Sequence, residues 1–374
     1  MTDLSEILFY TSITILSLYI LLQGVSMVSL FWLEDEEGVQ IPENELPFIS
    51  ILVAARNEEQ NIWRCLSALN QLNYPKDKIE FLIGNDQSND RTLEIAEAYT
   101  QKHPSFKVFN ITDSMGMARG KANVLAHLAR LAQGEFYFIT DADIAVNKNW
   151  ARELLAYFEE DTAIVSGTTV VDDEGTMGKM QEVDWMYYMG LLKSAYNLGL
   201  SCTAVGNNMA IRKEAYWEVG GYETLNFSIT EDYKLYKEVR LRGWGTKNVL
   251  NPQVINYSRA IHQFRVLLAQ RKRWLTGAKE LPLFWWFLFM IFGMFTPAII
   301  LLAFLNLKLA LIFYLIKLSC QSITIYELQS KMRLDKNIDF LLTYEFYNTA
   351  VVLATGFYYI LPIRLQWKNR TYTL

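Results

Sequence analysis

Between Glu6 and Glu34 the chain carries no charged residue, and a second uncharged stretch runs from Leu281 to Leu307. These runs constrain the fold more than any other feature, because a helix of about 20 apolar residues already crosses a hydrocarbon layer of ~30 Å. Ile7 to Leu33 is therefore expected to form a transmembrane helix. A cleaved signal peptide would need basic residues ahead of a shorter apolar run, whereas the flank Asp3-Leu4-Ser5-Glu6 is acidic.

Leu309 to Tyr326 is a third apolar stretch, interrupted only by Lys317, which would either snorkel or face protein. With Leu281 to Leu307 it reads as a helical hairpin turning near Asn306-Leu307-Lys308. Phe340 to Ile363 is a fourth, interrupted by Glu345 and closed by Pro362. Lys331, Arg333 and Lys336 precede it, while Arg364, Lys368 and Arg370 follow it. Positive residues prefer the cytoplasmic side, so one complete crossing would strand one of these clusters. A re-entrant or interfacial hairpin, broken around Thr355-Gly356, is the expectation. The implied organisation is an anchor over 1–33, a cytoplasmic domain over 34–280, and a membrane region with a short basic tail over 281–374.

The formal charge of −5 and the lack of a long basic stripe argue against a nucleic-acid partner. Cys65, Cys202 and Cys320 are odd in number and lack metal-ligand spacing, which fits a reducing compartment without a disulfide framework. His103, His127 and His262 are equally scattered, so a zinc or haem site has no support.

From Pro47 to about Val171, strand-like and helix-like periods alternate, the pattern of an α/β fold with a mainly parallel sheet. Phe48 to Val53, apolar but for Ser50, is suited to a strand buried on both faces. Glu58 to Leu72 reads as a helix, Ile79 to Ile83 as a strand, and Arg91 to His103 as a helix introduced by Ser88, Asn89 and Asp90. Phe106 to Ile111, Lys121 to Ala132 and Glu135 to Ile139 continue the alternation. Met177 to Tyr196 is helix-compatible and rich in Met, Tyr and Trp. It would be a core stripe, lie along a membrane, or line an acceptor cleft. Gly206 to Arg212 and Gly220-Gly221-Tyr222 read as turns. Ala260 to Lys279 reads as a helix running into the membrane.

Asn57, Asp86 and Asp141 fall at strand carboxyl ends, where ligands bind in such sheets. Asp141-Ala142-Asp143 ends a buried strand, and two carboxylates there suit a hard cation such as Mg²⁺ or Mn²⁺ held against a diphosphate. Asp232 is the candidate general base for removing a proton from an attacking hydroxyl, a direct displacement that would invert an anomeric centre. Glu231 beside it would contact acceptor or metal shell, and both acids would also suit a helix N-terminus. Lys121 and Arg273 are cations able to offset charge on a departing diphosphate. Trp274 offers a flat face to a sugar or lipid headgroup. Arg271 and Lys272, just before a membrane segment, read equally well as topogenic charges.

The ordered set Ala55-Arg56-Asn57-Glu58-Glu59, Asn85-Asp86-Gln87-Ser88, Asp141-Ala142-Asp143, Thr230-Glu231-Asp232 and Gln270-x-x-Arg273-Trp274 resembles the membrane-bound family 2 glycosyltransferases. That group includes cellulose, chitin, hyaluronan and poly-N-acetylglucosamine synthases and ceramide glucosyltransferases. Trp367-Lys368-Asn369-Arg370 also looks like the family's tail. The resemblance implies a GT-A fold, a UDP-sugar donor, Mg²⁺ or Mn²⁺, and inversion. By it, Ala55, Asn57, Glu58, Asp86, Lys121, Asp141, Gln270 and Arg273 would bind the donor. Asp143 with Asp141 would hold the metal, Asp232 with Glu231 would do the acid–base work, and Trp274 and Gly206 would meet the acceptor. Asn85-Asp86-Gln87-Ser88 departs from the usual Asp-Asp-Gly-Ser, so the first acid is an amide and the glycine is lost.

About three full spans are thin for a private polysaccharide channel, although a homo-oligomer would supply more. Transfer of one sugar, or a few, to a membrane lipid is favoured over processive polymer synthesis. A non-catalytic scaffold would be expected to lack Asp143 or Asp232, and both are present. The expected location is an integral one in a bacterial inner membrane.

Overall fold

A computed structural model of the chain describes residues 3–32, 37–201, 203–336, 338–363, 365–368 and 370–372. Leu33, Glu34, Cys202, Arg364 and Asn369 lie outside the described residues. The chain divides into two compact units. One comprises Asp35–Gly178, Thr203–His262 and Gln366–Leu374, and the other Met1–Glu34, Lys179–Cys202 and Gln263–Leu365.

Helix α1 (Asp3–Phe31) is followed by β1 (Ile49–Ala55), α2 (Ile62–Asn70), β2 (Ile79–Asn85), α3 (Thr92–Thr100), β3 (Phe106–Asn110), α4 (Lys121–Leu131) and β4 (Phe136–Asp141). Next come α5 (Trp150–Leu155), β5 (Thr162–Ser166), β6 (Thr168–Val171), α6 (Gly175–Asn197), β7 (Asn208–Arg212), α7 (Lys213–Glu218), α8 (Glu231–Leu241), β8 (Gly245–Asn248) and β9 (Ile255–Ser258). Helices α9 (Phe264–Gly277), α10 (Leu283–Leu305), α11 (Leu307–Lys331) and α12 (Ile338–Ile360) precede the short strands β10 (Leu365–Trp367) and β11 (Arg370–Tyr372).

In the first unit a seven-stranded sheet runs β3-β2-β1-β4-β7-β5-β8. β1, β2, β3 and β4 are mutually parallel; β1, β2 and β4 are buried along almost their whole length, as expected of strands covered on both faces, whereas β3 is the half-exposed edge strand. Helix α4 packs closely enough that a Cβ on Gly84 would meet Val124 Cγ1 at 2.2 Å. Phe81 and Phe106 stack at 4.0 Å between centroids, and Trp150 meets Phe138 edge to face.

Two expectations for this unit change. Gly206 to Arg212 is not a turn region: Asn208–Arg212 is β7, antiparallel to both β4 and β5 in mid-sheet. Its polar ends hide it, yet Asn208 is fully buried, accepting from Trp150 Nε1 and donating to the carbonyls of Thr168 and Val254. The helix expected from Glu58 starts only at Ile62, because Asn57 takes a left-handed φ of 51° and Glu58 N–H donates to Thr92 Oγ1.

In the second unit, α1, α10 and α11 are long and apolar enough to cross a membrane. Leu16 and Tyr19 pack with Ile291, Phe295, Ala298, Leu302 and Ala310. Asn306 turns the α10–α11 hairpin, its Oδ1 accepting from Leu309 N at 3.1 Å. Lys317 faces protein rather than snorkelling: it is buried and paired with Glu345 of α12. The break expected at Thr355-Gly356 is absent, and α12 is one continuous helix. Nothing crowds Gly356, and glycine costs a helix interior only about 1 kcal/mol. The aromatic stripe of α6 packs inside this unit, where Gln23 of α1 donates to Tyr187 Oη at 2.6 Å and Ser29 to Ser194 Oγ at 2.7 Å.

Candidate active site

Strand register delivers the first acids together. Ala54 of β1 pairs with Asp141 of β4, and Ala55 with Asn85 of β2, so Asp86 and Asp141 leave the same sheet edge on either side of β1. Two strand spacings separate such positions by about 10 Å. Asp86 is buried, with its N–H donating to Ala55 O at 2.8 Å and its carbonyl accepting from Arg56.

The segment Ala55 to Glu58 braces the loop after β2. Asn57 N donates to Ser88 Oγ at 3.0 Å, and Asn57 Oδ1 accepts from Asn89 N at 2.9 Å. The buried Glu58 carboxylate pairs with Lys368 and accepts from Asn61 Nδ2 at 2.9 Å. Lys368 also accepts from Arg56 Nε through its carbonyl, at 3.1 Å. The tail therefore returns to the first sheet edge, a contact between positions some three hundred residues apart that no local pattern announces.

Lys121, the first residue of α4, joins the two acidic motifs. Its Nζ lies 2.6 Å from Asp141 Oδ1 and 3.0 Å from Glu231 Oε1, and donates to Gly206 O at 3.2 Å. Burial alone would lower its affinity for a proton, but Asp141, Glu231 and Asp232 outweigh burial and hold the ammonium well above its ordinary range.

Asp232, in the first turn of α8, is held by two backbone donors. Gly206 N donates to Oδ2 at 3.0 Å and Tyr233 N to Oδ1 at 2.8 Å. A Cβ at position 206 would stand 2.6 Å from both Asp232 Cβ and Oδ2, so only glycine fits. Burial raises the Asp232 carboxyl to about 6, helped by the charge of Glu231 and opposed by Lys121 and the two N–H groups. An aspartate that titrates near neutrality can take a proton and give it up again. Burial, with the charges of Glu231, Asp232 and Asp141 adding to it, raises the Tyr222 hydroxyl well above its ordinary range.

Asp143 lies in the turn after β4, where Ile144 N donates to Asp141 O at 3.1 Å. Arg64 of α2 ties this turn down, donating to Asp143 O at 3.3 Å and Tyr257 O at 3.1 Å. Arg64 is a residue that sequence reasoning misses. No cluster of three or more His, Cys, Asp or Glu able to hold a metal occurs among the described residues. The oxygen donors of Asp141 and Asp143 fit an ion of the Mg²⁺ type, which binds through one or two carboxylates and fills its shell from substrate phosphates.

The Gln270 to Trp274 segment belongs to α9 in the helical unit. Gln270 Oε1 is buried without a hydrogen-bond partner among the described residues. Arg271 and Lys272 are not free topogenic charges. Arg271 pairs with Asp184, and Lys272 Nζ donates to the carbonyls of Tyr358, Leu361 and Ile363, closing the end of α12.

Among solved structures, a mannosyltransferase from Pyrobaculum calidifontis in complex with GDP-Man and Mn²⁺ aligns over 95% of this chain and 97% of its own, with a TM-score of 0.57 and 16% identity. The fold is therefore that of the GT-A glycosyltransferases. The family model described as Glycosyl transferase family 21 matches residues 12–374, and the chain belongs to that family. A beta-monoglucosyldiacylglycerol synthase of Synechocystis sp. is 28% identical over 64% of this chain and 50% of its own length. A poly-beta-1,6-N-acetyl-D-glucosamine synthase of Staphylococcus epidermidis is 27% identical over 66% of this chain and 59% of its own. The chain thus spans little more than half the length of these curated relatives.

Proposed function

We propose that this protein is an inverting hexosyltransferase that moves a sugar from a UDP-sugar, with Mg²⁺ or Mn²⁺, to a hydroxyl of a membrane lipid. The observation that carries the reading is the Lys121 bridge, which binds Asp141 and Glu231 into one cluster beside a raised-pKa Asp232.

Asp86 takes the nucleoside, in a wall shaped by Ala55, Asn57 and Glu58. Asp141 and Asp143 hold the ion, which when bound neutralises diphosphate charge. Asp232, oriented by Gly206 N–H, accepts the acceptor hydroxyl proton as that oxygen attacks the anomeric carbon, and Glu231 keeps Lys121 in place. Lys121 stabilises the leaving diphosphate, and by the family resemblance Gln270 and Arg273 would serve the donor and Trp274 the acceptor. Fixed donors aimed at growing negative charge contribute more than any other single catalytic effect. Three helices able to cross a bilayer are in keeping with an acceptor drawn from the lipid and with an inner-membrane location, the catalytic unit facing the cytoplasm.

Radiolabelled nucleotide sugars presented with Mn²⁺ to membranes bearing wild type or Asp232→Asn test this. Label should pass to the lipid extract only with wild type. Label in high-mass carbohydrate would favour a polymer synthase, the reading that the poly-N-acetylglucosamine relative suggests. No turnover of any donor would remove the enzymatic reading.

A further inference from the structure

Two opposite charges are sealed inside the helical unit, Asp184 of α6 at 1% exposure and Arg271 of α9 at 7%. Arg271 Nη2 donates to Asp184 Oδ2, and the Tyr344 hydroxyl of α12 donates to Asp184 Oδ1 at 3.0 Å. The guanidinium lies over the Trp274 indole at 4.4 Å from the ring centroid. Trp185, next to Asp184, meets the same indole edge to face at 5.4 Å and 76°.

Stability gives little reason for this arrangement, because a buried ion pair is often no better than well-packed apolar side chains of the same volume. Its geometry gives a better one. Asp184 holds Nη2 of a guanidinium whose central carbon lies over the Trp274 ring, while Tyr344 holds the carboxylate in turn. A desolvated cation–π contact and an edge-to-face aromatic pair both act on a single indole.

The geometry points to Asp184 as a positioning residue that, acting through Arg271, fixes the orientation of the Trp274 ring and hence the seat of the acceptor. This rests on the acceptor role proposed for Trp274. Lysine in place of Arg271 would supply charge without a guanidinium to lie over the indole, so the arrangement calls for arginine.

The test uses the full chain in detergent micelles with UDP-glucose, Mn²⁺ and dioleoylglycerol, measuring transfer to lipid beside hydrolysis of the donor without acceptor. Asp184→Asn preserves shape and an acceptor for Tyr344 but removes the charge that orients Arg271. The apparent acceptor KM should rise about tenfold, and the ratio of transfer to hydrolysis should fall by a similar factor. Asp184→Glu should recover part of the loss. A merely structural role would lower transfer and hydrolysis together and leave the acceptor KM unmoved, and that result overturns the inference. Since breaking a buried pair can prevent folding, Tyr344→Phe provides the second measurement, with a KM shift in the same direction of about threefold. An unmoved KM in a folded Tyr344→Phe overturns the inference as well. A wild type that neither transfers nor hydrolyses any sugar fails the glycosyltransferase reading itself, and the inference falls with it.

Discussion

The ammonium of Lys121 lies 2.6 Å from the Asp141 carboxylate, and through Glu231 at 3.0 Å the same ammonium reaches the first turn of α8. Lys121→Met should therefore loosen both acidic motifs at once. Transfer is expected to fall by about 10²-fold, the loss seen when one fixed electrostatic donor is removed. Lys121 also holds the Asp232 pKa down, so the acidic limb of the variant's pH–rate profile should lie above that of wild type. An unshifted limb would separate Lys121 from the base.

Burial raises Asp232 to about 6, so the charged base accumulates as pH rises through that value. The kcat/KM of wild type should climb with pH below about 6 and level off above it, while Asp232→Asn should lose the limb and about 10²- to 10⁴-fold in rate. Stability carries the opposite sign. A carboxyl raised on folding contributes stability that is complete below its unfolded value of about 3.9 and is lost as pH passes about 6. Asp232→Asn is therefore expected to gain in Tm relative to wild type between pH 4.5 and pH 8, as read by thermal unfolding in detergent.

The strand–helix alternation was legible because β1 is apolar but for Ser50 and β2 carries the apolar stretch Phe81 to Ile83, whereas β7 was not, because Asn208 and Arg212 flank only Met209, Ala210 and Ile211. What makes Asn208 a strand residue is three hydrogen bonds to Trp150, Thr168 and Val254, which exist only once the sheet has formed. The same holds for charge. Arg271 and Lys272 look topogenic in sequence because their partners are Asp184 and the end of α12, more than eighty positions away in opposite directions. The candidate acids could be picked out by their places at strand and helix ends, but the Lys121 bridge and the Arg64 tie depend on tertiary distances.

Gly206 gives a sharper probe of the base than Asp232 itself. Its missing side chain leaves space that Asp232 fills, with Cβ and Oδ2 both at 2.6 Å from where a methyl would sit. Gly206→Ala should push the carboxylate off its N–H donor and lower kcat by about 10²-fold, as expected when a reacting group is displaced by about 1 Å. Donor affinity, measured as the thermal shift on adding UDP-sugar and Mn²⁺, should change far less. Equal losses in both would mean that Gly206 supports the whole pocket rather than the base.

Lys317 and Glu345 are both buried and pair across α11 and α12 inside the helical unit. Removing one partner leaves the other charged and unpaired, at a cost of about 3–5 kcal/mol, whereas replacing both by apolar residues of similar volume is often neutral. Lys317→Met and Glu345→Leu should each lower the unfolding temperature of the detergent-solubilised protein and reduce its yield. The double variant should regain most of both. If the double variant were as unstable as the sum of the single changes, the two side chains would be acting independently, and the pair would not be what joins α11 to α12.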